Sequence, residues 1–350
     1  MAKLKKTKTE VRRLWRGKPS RWDFWSEGVT SSLLSSFLEC REQTRLYYVE
    51  GWKPKGTKLA LAFGTCCHWV LENIYRGSKS APSPVLPKAV IRMYDQRWKD
   101  EVGKPSQQQI EVHNMAVGLA NVVLPHYLRR WAGDFPGGKY LGKPGVPVPA
   151  KWLGLEKQFS VPYTYPDGKK TRIRGTRDGV FQDKNGDVWV FDTKCRSVII
   201  EEDIEDTLPL DLQQMLYLWA YEQETEKVAA GTVMNIIRRP GHRLGRDESL
   251  GVFFKRVGKE VEKKPDHYFL RFKMEVTGSD MIHWRREVLD PLMQDVRNWV
   301  EGGGAHYLNP NSLITKYGRC NLFNAIVHND FTDCRRVEPG RVLDYQSEVH

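Results

Sequence analysis

The chain predicts an α/β (α+β) fold in which a central mixed β-sheet is flanked by helices. Three observations carry this. Residues 153–165 alternate apolar and polar side chains, and 171–182 and 188–200 follow as two more strand patterns. Asp167-Gly168 and Asn185-Gly186 are hairpin turn signals between them, which makes an antiparallel meander of three strands the economical arrangement. An apolar helix over 210–222 then precedes a strand at 227–239, and a strand reached through a helix is expected to run parallel to an earlier one.

The remaining elements follow in order. Residues 1–27 form a basic arm with nine Lys/Arg before Trp22 against one Glu, interleaved with Trp15, Trp22 and Trp25. Thr30 or Ser31 is a plausible N-cap for a helix in which Leu33, Leu34, Phe37 and Leu38 recur at helical spacing, with Cys40 near its end. Gly64-Thr65 reads as the start of a helix that continues to Tyr75. Residues 77–87 are a Ser/Pro linker, two amphipathic helices are expected near 88–102 and 107–131 with Pro125 as a kink, and 133–149 is Gly/Pro-rich loop. The segment 77–150 is therefore expected as a helical insertion in a domain spanning 28–304. Residues 241–266, polar and basic, read as a loop or lid. A short strand at 268–277 and a long amphipathic helix from Ser279 to Glu301 follow, stopped by Gly302-Gly303-Gly304. The tail 305–350 is expected to pack back on the core.

Composition narrows the function. The 350 residues carry a formal net charge of +12 and twelve Trp, a combination suited to a polyanion whose bases stack on aromatic rings. No run of about 18 uncharged apolar residues is present, which argues against a membrane span. The basic N-terminus lacks the apolar core of a secretory signal, so a cytoplasmic protein is expected. The six cysteines form no CxxC pair, and free thiols are the default for such a compartment. Cys195 is expected as a small buried hydrophobe.

The chemistry concentrates between 171 and 220. Asp192 and Lys194 are two apart in a strand and leave the same face. Asp178 ends the neighbouring hairpin strand, where pairing brings it beside Asp192. Two facing carboxylates are costly unless a cation neutralises them. Mg²⁺ or Mn²⁺ answers that need, with the Thr193 carbonyl as a further oxygen donor. His68 and Glu72 share a helix face at i, i+4. His68 adds an imidazole, which suits Mn²⁺, and Glu72 is placed to serve a second ion or to orient His68. Lys194 is placed to position or deprotonate water, or to stabilise a pentacovalent phosphorane. Gln213 and Tyr217 share a face of the apolar helix at 210–222, where an amide needs partners.

Four motifs occur in order: Gly64-Thr65-x-x-His68-x-x-x-Glu72, Gly175-x-x-Asp178-Gly179, Asp192-Thr193-Lys194 and Gln213-x-x-x-Tyr217. Over roughly residues 30–240 the chain resembles the RecB-like branch of the PD-(D/E)XK nuclease superfamily, which includes CRISPR-adaptation exonucleases and many phage nucleases. The resemblance implies a restriction-endonuclease-like core, metal-dependent DNA hydrolysis with His68, Asp178 and Asp192 as ligands, Lys194 as the catalytic lysine, and Gln213 and Tyr217 as the accessory helix motif. It also suggests a phage-encoded exonuclease acting on DNA in the host cytoplasm, with recombination, replication or packaging proteins as partners. Several relatives hold an iron–sulfur cluster. Here Cys40, Cys320 and Cys334 give three candidate thiolates where four are needed, which argues against one. Two other readings use the same residues: a binding or DNA-packaging accessory without catalysis, and an RNA-directed or repair-specific endonuclease.

Overall fold

A computed structural model describes residues 21–56, 58–77, 86–302, 307–315 and 318–338. Most of the expected basic arm, part of the linker after Gly77 and the last twelve positions lie outside the described residues.

The chain enters through β1 (Val29–Thr30), and Thr30 caps α1 (Ser31–Glu39) by accepting from Leu33 N–H. Leu33, Leu34 and Phe37 of α1 are buried, but Leu38 points to solvent, 60% exposed, because it falls off the face those three define. After β2 (Trp52–Pro54) comes α2 (Leu59–Gly77), which begins five residues before the expected start at Gly64. Leu, Ala and Phe at 59–63 are sufficient helix formers, and Gly64 lies mid-helix against Cys195 of the sheet. Then come α3 (Leu86–Val102) and α4 (Gln107–Arg130), the latter opened by a reciprocal Ser106–Gln109 capping box.

The meander is β3 (Lys151–Thr164), β4 (Lys170–Gln182) and β5 (Val188–Arg196), antiparallel throughout. Next, α5 (Leu212–Thr225) crosses to β6 (Gly231–Arg238), which runs parallel to β5. Residues 241–266 are only in part the expected loop: 241–249 are irregular, but Leu250–Lys263 form α6, capped by Ser249. Phe253, Val257 and Val261 recur at i, i+4, i+8 and are buried against the insertion; the charges between them hid the stripe. Then β7 (Phe269–Glu275) closes the sheet antiparallel to β6. The expected single helix at 279–301 is α7 (Gly278–Trp284) and α8 (Asp290–Val300), joined by a π-turn at Arg285–Leu289. Late in the chain β8 (Cys334–Arg336) pairs antiparallel with β2.

The result is a six-stranded mixed sheet, ordered β3, β4, β5, β6, β7 with β1 also beside β4. Helices cover both faces. One core layer packs Leu33, Phe37, Leu216, Trp219, Val296 and Trp299 over Val190, Met234 and Ile236 of the strands. The other packs Phe63, Val70, Leu119, Val123, Phe253 and Val257 with Ile237 and Phe269. Each such side chain, fully buried, contributes about 1.5–3 kcal/mol. Alternation along β5 therefore sends Val190, Asp192 and Lys194 toward α5, and Phe191, Thr193 and Cys195 toward α2. Among the described residues no helix is long and apolar enough to cross a membrane.

Candidate active site

The cleft begins where two strands part. Pairing of β4 with β5 stops at Gly179–Phe191, and the next residues on each strand are Asp178 and Asp192. The freed N–H of Thr193 donates to Asp178 Oδ2 at 2.6 Å, which fixes that carboxylate at the mouth of the splay. The glycines of the Gly175-x-x-Asp178-Gly179 motif have a steric origin. A Cβ on Gly175 would meet the Phe159 ring at 2.6 Å, and one on Gly179 would meet Trp152 at 2.6 Å. Both rings come from β3, so the motif lets that strand's aromatics close over β4.

His68 reaches the splay from α2. Its Nδ1 lies 3.3 Å from Asp178 Oδ2 and 3.9 Å from Glu156 Oε1. Glu156 belongs to β3 and sits between the pairs Leu155–Gly179 and Lys157–Arg177, facing Asp178 across the ladder. Its φ is +44°, a left-handed conformation that costs a non-glycine residue and is found mainly where geometry is over-determined. Among the described residues, His68, Glu156 and Asp178 form one set of three donors whose ligand atoms all lie within 4.8 Å of one another. Burial disfavours the His68 cation, but the carboxylates of Asp178 and Glu156 outweigh it and hold the imidazolium up to about 10. Burial raises Asp178 above the usual carboxylate range, with His68 pulling the other way and Asp192 adding to the rise. Glu72 lines the same cavity, and its carboxylate is engaged by Arg76 at 2.6 Å. Burial, then Glu156, pushes it up.

The opposite wall is built by α5. Asp211 caps this helix by accepting from Gln213 N–H at 2.9 Å and Gln214 N–H at 3.0 Å. Lys194 Nζ lies 3.1 Å from Asp192 Oδ1 and donates to Gln213 Oε1, while Gln213 Nε2 donates to the Tyr217 hydroxyl at 2.7 Å. Burial opposes the Lys194 charge, but Asp192 and Asp178 keep the amine an ammonium. Asp192 is 1% exposed, and its other oxygen accepts from Gln214 Nε2 at 2.7 Å. Gln214 in turn accepts from the Thr232 hydroxyl at 2.6 Å. On the far side of the strand, Thr193 Oγ1 accepts from Asn235, whose amide oxygen accepts from Arg271.

His68, Glu156, Asp178, Asp192, Lys194 and Gln213 line a groove of about 1340 Å³ that continues over α2 and α3. Cys195 is not the expected buried hydrophobe: it is half-buried and lines this groove beside Lys194. Away from the groove, Cys40 and Cys334 are buried and Cys320 donates to Gln43 Oε1 at 3.1 Å.

Residues 29–321 match the sequence profile of the PD-(D/E)XK nuclease superfamily. The chain belongs to that superfamily. Nucleases of this class hydrolyse phosphodiester bonds in nucleic acids and generally use divalent metal ions. No curated protein matches the chain in sequence. Among solved structures, it is similar to a protein from Eubacterium rectale provisionally named an exonuclease, at 12% identity and a TM-score of 0.45 over 99% of each chain. It also overlaps the crystal structure of SSO0001 at 11% identity and a TM-score of 0.24, over 74% of this chain and 84% of that one. Both overlaps are loose, and the family match alone decides the assignment.

In this nuclease the donor set suits a hard or borderline divalent ion: one imidazole nitrogen and two carboxylates, in a place where the carboxylates otherwise repel. Of the residues read from sequence, the structure brings His68 and Asp178 together on one side and Asp192, Lys194, Gln213 and Tyr217 on the other, with Thr193 bonded between. Sequence reasoning missed two. Glu156 is one polar residue within the alternating 153–165 segment, and nothing local marks its inward turn. Gln214 had a signal: of two adjacent amides in an apolar helix, it is the fully buried one.

Proposed function

We propose that this protein is a divalent-metal-dependent deoxyribonuclease of the RecB-like branch, acting as an exonuclease with Mg²⁺ or Mn²⁺. The observation that supports this best is the pairing, across one strand splay, of the donors His68, Glu156 and Asp178 with the Asp192–Lys194–Gln213 chain. His68, Glu156 and Asp178 are the residues to hold the ion. Asp192, the Thr193 carbonyl and Glu72 are the further donors, since a carboxylate that already accepts two hydrogen bonds retains free lone pairs. A bound ion supplies positive charge to the scissile phosphate and lowers the pKa of a bound water.

The chain's own groups do the rest. The Lys194 ammonium offsets negative charge as it develops on the phosphoryl oxygens. Tyr217 orients Gln213, and Gln213 holds the ammonium in place. Gln214, braced by Thr232, fixes the Asp192 carboxylate plane. A groove of this size suits a polymer chain more than a small ester.

The test incubates wild type and Lys194→Ala with linear, nicked, closed-circular and single-stranded DNA, and with RNA, in Mn²⁺, Mg²⁺ or EDTA. Metal-dependent release of nucleotides from linear DNA is expected. Lys194→Ala should lose at least about 10²-fold in rate while still binding DNA. Resistance of closed circles supports the exonuclease, and cutting of circles makes it an endonuclease. Full activity in Lys194→Ala would sink the site, and inertness toward every nucleic acid would sink the nuclease reading in favour of a binding protein.

A further inference from the structure

The groove does not end at the donors. It runs from His68 past Trp69 on α2 to Arg97, Trp98 and Lys104 on and beyond α3. Most large aromatics of this protein are core: Trp131 is 1% exposed and Trp299 is fully buried. Trp69 and Trp98 differ. Both are half-buried, and both line the groove.

Trp98 is also braced. One face of its indole stacks on the His113 imidazole, with centroids 3.8 Å apart and planes 11° from parallel. His113 is 3% exposed, and its Nε2 is held by Asp95 at 2.8 Å. The ring is therefore fixed from behind by the buried His113 of α4, itself held by the half-buried Asp95 of α3, so little side-chain entropy remains to be lost on binding. Trp69 is adjacent to His68 in the chain and packs against Tyr94 at 5.7 Å between centroids. Tyr94 and Trp98 are one helical turn apart, so the aromatics make a row leading away from the donors. Arg97 is exposed beside the row, with its guanidinium 5.9 Å from the Trp69 ring centroid and an ion pair to Glu101.

Two half-buried indoles either side of the buried Tyr94, beside the exposed Arg97–Glu101 pair and starting at the proposed phosphodiester-binding centre, match one ligand chemistry. Nucleobases stack on aromatic faces whatever their sequence, while basic side chains follow the phosphates. Bases in a duplex are stacked on one another and paired inward, and cannot reach a protein ring without being unstacked. We propose that Trp69 and Trp98 are a stacking platform for unpaired nucleobases, which makes a single strand the form of substrate delivered to the centre. The proposal rests on the reading of the protein as a nuclease and adds α2 and the first helix of the insertion, α3, as the elements that select strand form.

The test measures binding of a short labelled oligodeoxynucleotide by fluorescence anisotropy, with EDTA present to prevent cleavage. Trp98→Leu should weaken binding of the single strand by about 5- to 100-fold, and Trp98→Phe by less than about 5-fold. On a strand of the same length made of abasic residues, wild type and Trp98→Leu should bind alike, because no ring is left to stack. Affinity for blunt duplex should not change. Equal losses on normal and abasic strands would mark Trp98 as structural and overturn the platform, as would no loss at all. A second measurement needs no variant. Photocrosslinking of an iodouracil-containing strand to wild type should label the peptides bearing Trp69 or Trp98, and labelling confined to other segments would overturn the proposal. The two readings fail separately. A wild type that degrades DNA while Trp98→Leu binds normally keeps the nuclease and loses the platform. A wild type that binds as expected but cleaves nothing keeps the platform and loses the nuclease.

Discussion

His68 is held in the cleft as a cation by two acids, and a metal ion needs the same imidazole neutral. That competition gives the site a pH dependence whose sign can be worked out. The folded-state value of His68 lies near 10, above its ordinary 6.5, because Asp178 and Glu156 outweigh the penalty of burial. A group raised on folding stabilises the protein fully below its unfolded value and loses that contribution as pH rises through the folded one. The metal-free protein should therefore lose stability between about pH 6.5 and 10. Ion binding, which expels the proton, should tighten across the same window. Calorimetric titration with Mn²⁺ in two buffers of different ionisation enthalpy reads the released protons directly. Glu156→Gln removes one of the two acids and should shift the window to lower pH. An affinity flat from pH 6.5 to 9, or binding without proton release, would remove His68 from the donor set.

One helix carries half of the cleft, and the residue that caps it decides how well it does so. Asp211 caps α5 through the N–H groups of Gln213 and Gln214, the two residues whose side chains hold Lys194 and Asp192. Asp211→Ala should cost about 1 kcal/mol of stability by urea denaturation, as removal of a capping carboxylate does. Its rate loss should exceed what that stability predicts at temperatures where the protein stays folded, since the first turn frays where both amides are anchored. Asp211→Asn or Asp211→Ser, which retain the cap, should recover both. Proportional losses would mean that the cap serves stability alone. This element, with the meander, was legible in sequence because its signals are local: alternation along 153–182, Asp167-Gly168, Asn185-Gly186, and the apolar run after 210. The parting of β4 and β5 after Gly179–Phe191 was not, because it depends on which N–H groups lose a cross-strand partner. Nor was Glu156, whose positive φ is imposed by the strands around it. The helix at 250–263 had its i, i+4 stripe on view at Phe253, Val257 and Val261, diluted by lysines and glutamates that composition alone reads as loop.

At the scale of the whole molecule, the helical insertion and the sheet are tied by one buried ion pair. Asp134, just after α4, takes two hydrogen bonds from Arg271 of β7, at 2.7 and 2.5 Å, with both side chains essentially out of solvent. Tyr75 of α2 donates to the same carboxylate at 2.6 Å, and Tyr127 of α4 accepts from Arg271. Arg271 continues to Asn235 and so to Thr193 in the middle of the Asp-Thr-Lys strand. The network therefore joins the α2–α4 layer, which carries His68 and the aromatic row, to the strand that carries Lys194. A buried pair of this kind is costly to desolvate, and its chief signature is what happens when one member is left alone. Asp134→Ala or Arg271→Ala should each cost about 3–5 kcal/mol in denaturation experiments, because a charge stays buried without its partner. The double substitution Asp134→Leu/Arg271→Met, which removes both charges and keeps the volume, should cost far less than the sum of the singles. Its coupling energy is read from the double-mutant cycle. If the network only holds the layers together, the double variant regains full DNA hydrolysis along with its stability. If the Arg271–Asn235–Thr193 link also sets the strand, the double variant folds well and still hydrolyses DNA slowly, with Asn235→Ala reproducing the deficit. Because Asn235 reaches Thr193, whose N–H fixes Asp178, the second outcome is the one expected.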